Sequence, residues 1–159
     1  MTVSLQPELQ RLVQLIDSEA VLLRSFLALL EREEALLLAG DADGLLVLTS
    51  EKTERFHQLQ RIHNDRALLL GKLRRPNTDA AIREVCQPLP DTIRRWDEIH
   101  ALARDAQARN ELNGKLISER LQHNQAAMSI LLDAARKPQL YDSAGIARPS
   151  GGGRHLGSA

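Results

Sequence analysis

Glu54 and His57 stand three residues apart, and Glu119 and His123 four apart. On a helix each pair shares one face, where a carboxylate and an imidazole can meet one metal ion. Di-iron bundles use two Glu-x-x-His pairs plus two further glutamates, all directed inward. The chain offers no second Glu-x-x-His pair, and two ligands do not make a closed site. These four residues therefore read as solvated helix faces, with no metal expected. Cys86 could act as a nucleophile, but no histidine is placed by position to activate it; a small buried apolar residue is the expected role. Arg74-Arg75 and Arg94-Arg95 flank two linkers and could hold an anion or an acidic surface. Paired arginines of this kind more commonly complement helix termini. Gly151-Gly152-Gly153-Arg154 lacks the strand, lysine and helix of a phosphate loop. No catalytic residue and no cofactor site emerges, so the expectation is a protein that is not an enzyme.

What positions these residues is a helical framework. The chain has 159 residues, enough for one domain with a sizeable core. Aromatics make up only 3% while leucine dominates the apolar set, which argues for helices rather than strands. The 21 basic and 21 acidic residues cancel. That balance argues against nucleic-acid binding, which needs a basic face, and against a polybasic membrane surface. A single cysteine excludes an intrachain disulfide and fits a reducing compartment. The start, MTVSLQPEL, has no secretory pattern. The apolar run around Ala20 to Leu30 is interrupted by Arg24 and Ser25, so no membrane insertion is expected. These features predict a cytoplasmic protein.

The periodicity predicts three long helices and one short one. The first begins near Ser4 or Pro7 and carries Leu9, Val13, Ile16, Ala20, Leu23, Leu27 and Leu30, with Glu34 breaking the row before Leu37. Gly40 suits the left-handed position after a helix end, and Asp41 can cap the next helix. That helix, about Ala42 to Leu73, returns antiparallel with Leu45, Leu48, Phe56, Leu59, Ile62 and Leu69. Pro76 stops it, and Asn77 or Thr78 caps a short helix to about Cys86. The last helix starts near Asp91 and is expected to reach about Arg136. Its stripe reads Trp96, Ile99, Ala103, Ala106, Asn110, Asn113, Ile117, Asn124, Met128 and Leu131. The expected fold is an all-α, elongated antiparallel bundle over residues 1–137, with a flexible tail over 138–159.

The stripe places Asn110 and Asn113 on the buried seam. A polar side chain there sets register at a cost in stability. On that basis replacing both by leucine is expected to stabilise the chain. Gly114 beside them is expected to let another helix approach closely.

The segment LEREEALLLAGDADGLLVLTSEK is similar to the hallmark of the FlgN family, flagellar type III export chaperones for the hook–filament junction proteins. The matching residues are Glu34, Ala35, Leu36, Gly40, Asp41, Leu45, Leu48, Glu51 and Lys52, then Arg66. Asn110, Asn113, Leu116 and Ile117 resemble the family's Asn-x-x-Asn and aliphatic pair, and Tyr141 with Gly145 its closing Tyr-x-x-x-Gly. The resemblance implies two partners: the C-terminal segments of hook-associated junction proteins, and the cytoplasmic domain of the export gate. It places cargo binding in the last helix and beyond, with Leu116, Ile117, Leu121, Met128 and Leu131 as expected contacts. It makes Tyr141 the expected gate-docking residue. Gly40, Asp41, Lys52, Asn110, Asn113 and Gly114 are expected to be structural. The chain is expected to be a monomer or homodimer. The competing expectation is a coiled-coil adaptor that homodimerises and has no export role.

Overall fold

The structure, a computed structural model, describes residues 7–122 together with 132, 133 and 135. Helix α1 spans Pro7–Ala39, α2 Ala42–Lys72, α3 Asp79–Val85 and α4 Pro90–Leu121. The predicted all-α bundle of three long helices and one short one is what forms. Helix α1 is the central element, packed along both α2 and α4. Glu33 pairs with Lys52 and Glu19 with Arg66, so α2 runs antiparallel to α1. Asp17 faces Arg95, Arg24 faces Glu98 and Glu31 faces Arg109, so α4 runs back up, parallel to α1. One end of the bundle holds α3, and the other is the tip of the α1–α2 hairpin.

Local chemistry sets the ends of the elements. Pro7 and Pro90 open α1 and α4, where the missing N–H would be unpaired anyway. Gly40 takes φ 71°, and the amides of Gly40 and Asp41 close back on the carbonyls of Leu37 and Leu36. Asp41 then caps α2, accepting from Gly44 N at 2.9 Å. A side chain at Gly44 would meet the Asp41 carboxylate at 2.7 Å and Leu36 at 2.9 Å, so both side chains would have to shift to admit one. Thr78 caps α3 by accepting from Ala81 N.

The main core lies between the middle of the bundle and the α3 end. Leu12, Ile16, Ala20 and Leu23 of α1 meet Leu59, Leu69 and Leu70 of α2, Ile82 of α3, and Trp96, Ile99 and Ala103 of α4. Trp96 and Cys86 are buried, as their sequence positions suggest. A smaller cluster closes the hairpin tip: Leu37, Leu45, Ile117 and Leu132.

Three expectations need correction. The residue between Leu30 and Leu37 that turns inward is Glu33, which is buried, whereas Glu34, read as the interruption of the apolar row, is only partly covered. Among the described residues nothing comes within 4 Å of where a side chain at Gly114 would stand, so none of the described helices uses this glycine for close packing. Helix α4 ends at Leu121, well short of Arg136. Leu132 lies fifteen residues after Ile117, which along a continuous helix would place it about 22 Å further on. It packs instead in the same cluster as Ile117.

Candidate functional site

Two buried polar layers hold the three long helices in register. Near the α3 end, Glu19 of α1 meets the Arg66 guanidinium of α2, both out of solvent. The guanidinium stacks over the Trp96 ring of α4 at 4.9 Å, and His63 Nδ1 lies 3.5 Å from it. Trp96 Nε1 donates to Asp79 Oδ1 at 2.7 Å. His100 Nε2 lies 3.0 Å from the same oxygen without hydrogen-bond geometry, its ring set edge-on to Trp96. Burial, then the charge of Arg66, pushes the His63 imidazole below its ordinary value. Burial pushes the Asp79 carboxyl up. The hydrogen bonds from Trp96 and Arg83 and the charges of Arg83 and His100 outweigh this and hold it below the usual carboxylate range.

The second layer lies fourteen residues away on each long helix. Glu33 of α1 holds Lys52 Nζ at 3.2 Å, and Lys52 donates to Asn110 Oδ1 of α4 at 2.7 Å. Asn113 Nδ2 donates to Glu33 Oε1 and to the Leu30 carbonyl, each at 2.9 Å. The seam position inferred for the asparagines is therefore observed, and their role is to complete a buried ion pair. Fourteen residues are two heptads, so each acid, base and partner returns to the same face. That repeat of Glu19 and Glu33 was a signal present in the sequence, although the stripe of leucines hides it.

The hairpin tip is the apolar counterpart. Leu36 and Leu116 border the cluster of Leu37, Leu45, Ile117 and Leu132, with Ala135 packed at its margin. Arg120 ties α4 to the tip by donating to the Leu38 carbonyl at 3.0 Å and lying over Gly40. Among the described residues, four of the six large apolar side chains that stay exposed are Leu38, Leu46, Val47 and Leu112, at or near this end. An exposed apolar concentration on an otherwise charged surface marks a place that meets other molecules.

Of the expected cargo contacts, the structure brings Leu116 and Ile117 to this tip. Leu121 closes α4, and its side chain lies outside the described residues, as do Met128, Leu131 and Tyr141. Glu54 and His57 lie on an open face of α2, in a shallow depression with Gln60, Arg61 and Asn64. Glu119 is exposed, and His123 lies outside the described residues. Among the described residues no group of three or more His, Cys, Asp or Glu converges in a metal-binding arrangement. Burial pushes the Cys86 thiol up to about 11, so it stays protonated and unreactive near neutral pH. Arg75 pairs with Glu84, Arg94 with Asp91, and Arg95 with Asp17 and Glu98. Among the described residues no helix is long and apolar enough to cross a membrane.

The model of the FlgN family, described as FlgN protein, matches residues 1–149. No curated protein and no solved structure matches the chain. The family match runs through the hairpin tip, both polar layers and the chain beyond α4 as far as residue 149, and the all-α bundle agrees with it. The chain belongs to the FlgN family, a family of flagellar export chaperones.

Proposed function

We propose that this chain is a cytoplasmic chaperone that binds the C-terminal helical segments of hook–filament junction proteins, prevents their premature association and delivers them to the export gate. Family membership over residues 1–149 carries the reading. The hairpin tip supports it with a physical surface, because an amphipathic segment is read by apolar anchors three and four residues apart. Leu116 and Ile117 belong to the tip cluster on α4, and Leu121, Met128 and Leu131 follow Ile117 along the sequence at spacings of four, seven and three residues. Leucine and methionine adapt to more than one partner. Tyr141, in the segment 138–159 beyond the bundle domain, is the gate-docking residue in this reading.

The test is co-purification of the full chain with a junction protein, followed by titration with that protein's C-terminal segment. A stoichiometric complex is expected, and absence of binding sinks the proposal. Tyr141→Ala is expected to weaken capture by the cytoplasmic domain of the gate while leaving the cargo titration unchanged. Equal loss of both would show that the two surfaces are one. The exposed leucines at the tip also suit a second copy of the chain. A tight homodimer in sedimentation, with Leu116 buried between copies and no affinity for junction segments, would favour the adaptor reading.

A further inference from the structure

The tip cluster is assembled from two sources. Leu36, Leu37, Leu45, Leu116 and Ile117 belong to the ends of α1, α2 and α4, and form a floor across three helices. Leu132 and Ala135 come from outside those helices. Both are helical, and they stand three residues apart, so they lie on one face of a turn. Asp133 between them is exposed. The floor therefore already accepts an amphipathic helical turn with an aliphatic and a small anchor.

We propose that this floor is the client seat, and that the turn bearing Leu132 and Ala135 occupies it in place of the client. The inference rests on the chaperone reading and specifies where the client binds and in what form. The occupant it fits is an amphipathic helix with leucine-sized and small residues at three- and four-residue spacing, as the chain's own turn shows. Leu38, Leu46 and Val47 stay exposed at the same end of the bundle. Competition follows directly. A client binds only the fraction of molecules whose floor is open, so its apparent affinity falls by that fraction. The covering turn also shields Leu37, Leu45 and Ile117 from water when no client is present.

The experiment titrates the full chain with a fluorescent peptide carrying the C-terminal helical segment of a junction protein, comparing wild type, Leu132→Asp and Leu116→Asp. The charge at Leu132 ejects the turn and leaves the floor intact, so Leu132→Asp is expected to bind about ten-fold tighter, as for a seat about 90% covered. Leu116→Asp places a charge on the floor and is expected to bind at least about ten-fold more weakly. Ala135→Asp repeats the first arm at a half-buried position, in case Leu132→Asp perturbs folding as read by circular dichroism. If wild type binds and neither Leu132→Asp nor Ala135→Asp binds more tightly, the self-occupied seat is overturned while the chaperone reading stands. Unchanged affinity in Leu116→Asp overturns the location of the seat. Binding by the Leu132→Asp variant alone supports the proposal in its strongest form. No binding by any variant or by wild type overturns the chaperone reading, and the seat with it.

Discussion

The two polar layers are built to one plan with different parts. Each takes a glutamate from α1, a cation from α2 and a partner from α4, two heptads apart. Near the α3 end the cation is Arg66, fully buried, fixed by Glu19 and stacked on Trp96. Near the hairpin tip it is Lys52, about one-tenth exposed, held by Glu33 and Asn110. A planar guanidinium suits a site with an aromatic face and a fixed carboxylate. An ammonium on a flexible stem can reorient toward water when its partners shift. The layer under the largest core is thus the rigid one, and the layer nearest the apolar tip is the adaptable one. The difference separates an end that maintains the fold from an end suited to meeting other molecules.

The largest effect is expected from Glu19→Ala. It leaves Arg66 buried without its carboxylate, which costs about 3–5 kcal/mol. Denaturant unfolding measures it, and a loss below about 1 kcal/mol would show that Arg66 finds water. The same change in the other layer, Glu33→Ala, is expected to cost less, about 2 kcal/mol, because Lys52 keeps Asn110 and can reach solvent. Equal losses in the two variants would erase the distinction between the layers.

Next comes the double change of Asn110 and Asn113 to leucine. Reasoning from the seam alone gives stabilisation, but the contacts reverse the sign. Lys52 loses an acceptor, and Glu33 and the Leu30 carbonyl lose a donor, so a loss of about 1–3 kcal/mol is expected. Thermal melts decide it, and a raised midpoint would restore the simpler view.

The smallest effect distinguishes the layers by pH. His63 adjoins the Arg66 layer, whereas Lys52 is held by Glu33 and Asn110. The folded-state pKa of His63 lies below the ordinary 6.5, so below that value the unfolded chain binds the proton more readily. The stability it contributes is complete above about pH 6.5 and is lost as the pH falls through the lower folded value. Midpoints measured from about pH 7.5 down to about pH 5 should fall, and His63→Gln should flatten that part of the profile. An unchanged slope in the variant would assign the titration to another group.

Much of this arrangement was legible in the sequence. Gly40, Asp41, Pro76 and Thr78 mark the breaks because local chemistry suffices at each. Gly40 makes a left-handed turn, Asp41 and Thr78 cap the helices that follow, and Pro76 prevents continuation. Trp96 reads as core from its place at the start of the last helix's stripe, and Cys86 from the usual burial of an unpaired cysteine. The identity of the buried acid was harder to see. Glu33 and Glu34 are neighbours, and the small drift between a heptad and the natural helical turn decides which one faces inward. The end of α4 had no local marker. Asn124, Met128 and Leu131 keep helical spacing past Leu121, and no glycine or proline interrupts them. What places Leu132 at the tip is a tertiary contact with Leu37, Leu45 and Ile117, and one-dimensional periodicity carries no information about it.

Cys86 gives the molecule a convenient silence. Its thiol is fully covered in the main core and stays protonated near neutral pH. Fluorophores and spin labels should therefore ignore it while attaching to a cysteine introduced on an exposed turn, leaving the native chain a clean background for distance measurements. The same thiol reacts once the α3 end opens. The rate at which a disulfide reagent consumes Cys86 then reports how often that end of the bundle comes apart, with no engineered probe at all.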